Sequence, residues 1–193
     1  MTHVAAQASP WIQRWSHLLA PGCPVLDLAC GAGRHLHWFA TRGHSVLGVD
    51  LDIAPAQAVV DAHADTGRVR VVQADLENAA WPLRSAHGPQ SFGGVIVTNY
   101  LWRALFPDIL SSLGPGGVLL YETFAHGNAR FGRPARAEFL LQPGELLRLC
   151  SGLRVVAYED GVLEQPLRQV QRIAALRLPT ATGANEGAEH YLL

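Results

Sequence analysis

This chain has no excess of charge in either direction: 15 lysines and arginines together face 16 aspartates and glutamates, for a formal net charge of -1. Broad electrostatic capture of nucleic acid or of an anionic membrane is therefore excluded as its organising principle. Cysteine is scarce as well. Cys23, Cys30 and Cys150 form no CxxC pair and no ordered disulfide framework, which points to a reducing, cytoplasmic setting. No apolar run approaches the roughly 20 residues that span a bilayer. Residues 1–10 lack both the charged and the apolar region of a secretory leader. No repeat, coiled-coil register or interdomain linker is visible. The expectation is a single domain over 1–193, as a monomer or homodimer, with a leading helix at 9–20, an insertion at 125–144 and a flexible tail at 180–193. Trp11 and Trp15 are the candidates for a contact surface if they lie exposed.

What is present is core material: 49% of residues are hydrophobic against 16% charged. Short apolar runs at 25–28, 45–49, 69–72, 94–98 and 118–124 read as strands, nearly all apolar as suits a sheet covered on both faces. Stretches with helical spacing lie between them, at 33–41, 54–64 and 103–113, with a further helix at 145–150. The leading helix should cover one edge of the sheet. Residues 153–158 read as a sixth strand and 78–90 as loop; 169–176 reads as a seventh strand or a helix, and the chain topology favours the strand. Alternating strands and helices define an α/β fold, a doubly wound sheet of about seven strands with helices on both faces in three layers. Ligands of such sheets sit at the carboxyl ends of the strands.

The most informative stretch runs from Val25 through Asp27 to the turn Ala29-Cys30-Gly31-Ala32-Gly33-Arg34. A strand ends near a carboxylate, turns tightly on two glycines and enters a helix, so backbone N–H groups face whatever lies above. Asp50 closes the next strand, where a ribose-binding carboxylate belongs in a βαβ unit. The third glycine of a dinucleotide turn is absent, and no Walker lysine follows. Asp27 beneath the turn suits a ligand bearing an ammonium group better than a phosphate. That combination points to S-adenosylmethionine.

Val25 to Arg34 resembles the first motif of the class I, Rossmann-like S-adenosylmethionine-dependent methyltransferases of small-molecule type. The 46–52 and 72–77 stretches resemble the next two motifs, and Gly31-Ala32-Gly33-Arg34 is similar to tellurite-resistance-type methyltransferases. The resemblance implies that Ala29, Cys30, Gly31 and Gly33 approach the cofactor and that Asp50, with Leu51 beside it, accepts from the ribose. Asp75 would meet the adenine amino group, Leu76 would pack on the ring, Asp27 would act near the ammonium group, and Asn99 would complete the site. The commonest family turn begins with glycine where this chain has Ala29. Asp52 competes with Asp50, with a helix cap as its other role, and Asp75 has a turn role as its own alternative.

Methyl transfer demands positioning first and a base only when the acceptor must lose a proton. Tyr100, Glu122 and His126 are the catalytic candidates. Glu122 is read either as a paired structural residue or as an active-site carboxylate, and Tyr100 either as an acceptor contact or as packing. Tyr100, Trp102, Arg130 and Arg133 are the candidates for substrate contact. Arg130, Arg133 and Arg136 read either as an oxyanion clamp or as a solvated loop, and part of 125–144 as a lid. Arg34 and His35 are expected on the exposed helix surface, and His35 and His37 diverge, so no metal site is expected. The expected activity is methyl transfer to a small molecule, with S-adenosylhomocysteine as product. The alternatives are a protein or RNA methyltransferase and a non-catalytic S-adenosylmethionine-binding protein.

Overall fold

The computed structural model describes residues 7–85, 88–89 and 91–179, with backbone alone at 84–85 and 88–89; the tail expected at 180–193 lies outside them. Seven strands form one mixed sheet: β1 (Val25–Leu28), β2 (Val46–Asp50), β3 (Val69–Gln73), β6 (Phe92–Thr98), β7 (Leu113–Phe124), β8 (Arg154–Glu164) and β9 (Leu167–Leu176). Their order is β3-β2-β1-β6-β7-β9-β8. The first five are parallel, whereas β9 runs antiparallel to both β7 and β8. A two-residue hairpin, β4 (Arg84–Ser85) with β5 (Gly88–Pro89), occupies part of the stretch read as loop.

Alternation along the central strands sorts the core into two layers. Leu26, Leu28, Val95, Val97, Leu119 and Tyr121 face a layer that includes α4 (Phe106–Ser111) and α5 (Glu145–Leu149). Val25, Val46, Ile96, Val118 and Leu120 face α1 (Pro10–Trp15), α2 (Arg34–Ala40) and α3 (Gln57–Ala62). The expected three-layer α/β/α architecture is observed. No helix among the described residues is long and apolar enough to cross a membrane.

Two expectations are corrected here. The leading helix lies over the sheet instead of at its edge: Trp11 and Trp15 are both 2% exposed, and the Trp11 indole N–H donates to the Ile173 carbonyl of β9 at 3.3 Å. Burial against α2 and the sheet removes both tryptophans as contact-surface candidates. His35 is also buried, at 1% exposure, because α1 covers that face of α2. Its Nε2 accepts the Ser9 backbone N–H at 3.2 Å, and burial lowers its pKa to about 3, with help from the Arg34 charge.

Gly48 in β2 lets the turn after β1 settle onto the sheet. A Cβ there would lie 2.8 Å from the Cys30 Sγ and 3.0 Å from a Leu36 methyl. Gly48→Ala should force both groups outward, costing about 1–3 kcal/mol of stability as overpacking does. Urea denaturation of the variant measures this directly.

Candidate functional site

Strand order reverses at β1, so the chain leaves that strand toward β2 on one side and β6 on the other. Open sheets bind ligands at the carboxyl ends flanking such a switch point. The turn from Ala29 to Gly33 sits there. Gly31 and Gly33 have φ of +53° and +78°, and a Cβ on Gly31 would meet only open space. Ala29 shares the left-handed region at φ 53°, which accounts for glycine as the commoner residue of this turn.

Asp50 fastens the turn: its two carboxylate oxygens accept from the Gly31 N–H at 2.8 Å and from the Asp52 N–H at 3.1 Å. Asp52 in turn accepts from the Ala54 N–H at 3.0 Å, a local turn bond outside the Ile53 N-cap of the helical turn at Ala54–Ala56. Asp75 accepts from the backbone N–H groups of Glu77 and Asn78 and from the Asn78 amide, and these bonds, the amide first, hold its pKa low.

Ala29, Asp50, Leu51, Asp75, Leu76 and Tyr100 share a cleft of about 290 Å³. Leu51, 64% exposed, stands at its rim and Leu76 is buried. Asp27 lies fully buried in β1, and neither carboxylate oxygen has a hydrogen-bond partner. The nearest ring nitrogen, His35 Nδ1, is 3.8 Å from Oδ2. Burial raises the Asp27 pKa to about 8, opposed by Arg34 and reinforced by Asp50. Cys30 is buried beside the turn, and its thiol pKa is raised first by desolvation and then by Asp27 and Asp50.

A second cleft of about 210 Å³ adjoins the first through Glu77 and Tyr100, and Asn99, Phe124, Pro134 and Phe139 wall it. The insertion thus contributes Pro134 and Phe139. Asn99 stands in the left-handed region at φ 56°, its Oδ1 accepting from Arg168 at 3.0 Å. Tyr121, buried beneath, donates from its hydroxyl to the Tyr100 carbonyl at 2.8 Å and fixes that corner of the backbone.

The other candidates are elsewhere. Glu122 is wholly buried on the α1 face, where its Oε1 accepts from Ser9 Oγ at 3.1 Å and Arg168 at 3.2 Å and its Oε2 from Arg172 at 3.3 Å. Trp102 packs against the core. His126 is exposed and its backbone N–H donates to the Leu141 carbonyl. Arg130 donates to the Gly127 carbonyl and lies near the Phe131 ring, while Arg136 pairs with Glu138; the exposed Arg133 likewise lines neither cleft. His37, exposed on α2, meets His63 at 3.1 Å between ring nitrogens. Among the described residues no group of three or more His, Cys, Asp and Glu could hold a metal ion.

Sequence reasoning passed over Glu77, although it closes the third quoted motif two residues after Asp75. It also passed over Arg168, whose signal was its shared face with Arg172 on β9.

This arrangement is the class I, Rossmann-like methyltransferase fold. Residues 25–117 match the family described as "Methyltransferase domain". Over 67 residues the chain is 40% identical to a thiopurine S-methyltransferase of Pseudomonas putida, covering 34% of this chain and 31% of that protein. The chain thus spans about a third of the length of the curated relatives it matches. Among solved structures, TehB from Haemophilus influenzae superposes with a TM-score of 0.70 at 15% identity, over 91% of this chain and 64% of that one. The 1,6-didemethyltoxoflavin-N1-methyltransferase of Burkholderia thailandensis gives 0.67 at 20% identity, over 91% and 80% respectively.

Proposed function

We propose that this protein transfers the methyl group of S-adenosylmethionine to a small-molecule acceptor, leaving S-adenosylhomocysteine, in the cytoplasm. Asp27 carries the reading. A fully buried carboxylate with no hydrogen-bond partner is costly to keep, and the ammonium group of the cofactor's methionine end would supply the missing partner. The open space over Gly31 fits the same ligand.

Asp50 would accept from the ribose hydroxyls, with Leu51 and Leu76 flanking the adenine and Asp75 at its amino edge. When bound, S-adenosylmethionine supplies a methyl carbon made electrophilic by the sulfonium. The chain's own part is to hold both partners in line and to exclude water around the transfer. Pro134 and Phe139 of the insertion serve the second task. The 1,6-didemethyltoxoflavin-N1-methyltransferase was solved with bound 1,6-didemethyltoxoflavin and S-adenosylhomocysteine, which supports an acceptor of that size. Calorimetry tests the reading: S-adenosylhomocysteine should bind, NAD and ATP should not, and turnover should follow on a small-molecule panel. Tight NAD binding, or no binding of S-adenosylhomocysteine, would overturn it.

A pH dependence follows from the same residue. Asp27 is mainly protonated at neutral pH, since its pKa is raised to about 8, and pairing with an ammonium group favours the ionised form. Binding should therefore release a proton, and affinity should rise between pH 6 and 8 by up to about tenfold per unit. Arg34, His35, Cys30 and Asp50 surround the carboxyl, so Asp27→Asn is the control. Its affinity should be weaker and nearly flat over that range.

A further inference from the structure

The acceptor cleft has a one-sided chemistry. Tyr100, Phe124 and Phe139 supply aromatic surface and Pro134 adds an apolar wall. Among the described residues lining it, Glu77 is the single acidic or basic one, and it belongs to both clefts.

The arginines nearby are committed to other partners. Arg168 is held by Asn99 and Glu122 with its guanidinium 5.9 Å from the Phe124 ring centroid, Arg136 by Glu138 with its guanidinium 4.5 Å from that of Phe139, and Arg103 by Glu145. Three carboxylates act on the Tyr100 hydroxyl in the same sense. After burial, the charges of Glu77, Asp75 and Asp50 each raise its pKa, so the phenol stays protonated and cannot serve as an anionic base. The negative charge at the Glu77 and Tyr100 end of the cleft attracts cations, and the Tyr100 ring face adds to the effect. It repels oxyanions.

We propose that the acceptor is a small aromatic molecule bearing an amine nitrogen, seated among Tyr100, Phe124 and Phe139 with that nitrogen toward Glu77. The proposal rests on the methyltransferase reading and adds the acceptor class and a residue that recognises it. An amine arriving protonated first gives up one proton, to the Glu77 carboxylate and thence to water. Its lone pair then forms the N–C bond to the methyl carbon while the C–S bond breaks and its electron pair stays on sulfur. A primary or secondary amine sheds a further N–H proton by the same route; a tertiary amine leaves as a quaternary cation.

Benzylamine, benzyl alcohol and benzoate place one ring beside a positive, neutral or negative group. Each can be titrated by ligand-observed NMR into protein saturated with S-adenosylhomocysteine. Benzylamine should bind about tenfold more tightly than benzyl alcohol, and benzoate most weakly. Glu77→Gln should reduce the benzylamine advantage to within about twofold, whereas Phe139→Ala should weaken benzylamine and benzyl alcohol alike. Benzoate binding best, none of the three binding, or an unchanged preference in Glu77→Gln would overturn the proposal. Failure of S-adenosylhomocysteine to bind at all would instead overturn the methyltransferase reading beneath it.

Discussion

Asp50→Ala is expected to weaken S-adenosylhomocysteine binding by about 100-fold, the loss that removing two charge-assisted hydrogen bonds to ribose would produce. The carboxylate has a second duty that adds to the effect. It holds the Gly31 N–H at 2.8 Å and the Asp52 N–H at 3.1 Å, so the substitution also releases the glycine turn that shapes the cleft. Asp52→Ala separates the two contributions. Asp52 accepts from the Ala54 N–H, and its loss should cost only a few-fold in affinity, along with about 1 kcal/mol of stability for the lost hydrogen bond. Calorimetry on both variants reads the difference. Equal affinity of Asp50→Ala and the unmodified chain would remove the ribose role.

The central sheet was legible because its signal is local. Runs such as Val46–Asp50 and Phe92–Thr98 are apolar on both faces, and turn residues bound them, so their position in the sheet followed from composition and order. Boundaries set by pairing were less visible. β7 begins at Leu113, not at residue 118, because Leu113 pairs with Phe92 across a register shift; Gly116, between Leu113 and Val118, lies in the left-handed region at φ +71°. β8 runs on to Glu164 because its whole length pairs with β9, a contact that residues 159–164 do not advertise.

The site divides in the same way. The glycine turn, Asp27 and Asp50 lie within one βαβ unit and could be read in line. Roles created by distant partners could not. His35 looks like a surface residue of a helix, yet Ser9, 26 positions away, covers it. Glu77 is an unremarkable turn residue until the strand ends bring Tyr100 beside it. Arg168 acquires its meaning only when β9 lies antiparallel to β7 and sets it against Asn99 and Glu122.

Glu122 shows how such partners change a residue's expected role. Its carboxylate is wholly buried between two guanidinium groups that are themselves only 15% and 16% exposed, and it accepts from Ser9 as well. Removing one member of a buried ion pair leaves the others charged and unpaired, which costs about 3–5 kcal/mol. Glu122→Ala should lose stability of that order in urea denaturation. Arg172 keeps Glu159 as a second partner and Arg168 keeps Asn99, so the local fold has a means of surviving the change. Glu122→Gln retains an acceptor for Ser9 and should fall between Ala and the native chain. Ser9→Ala, which loses this bond and the cap on the Trp11 N–H, should cost about 1–2 kcal/mol. In the folded Gln variant, affinity for S-adenosylhomocysteine should stay within about threefold, the size of change expected when no ligand contact is lost. A Gln variant of native stability that binds the cofactor and has lost turnover would show the opposite, a carboxylate needed for chemistry and not for holding α1, β7 and β9 together.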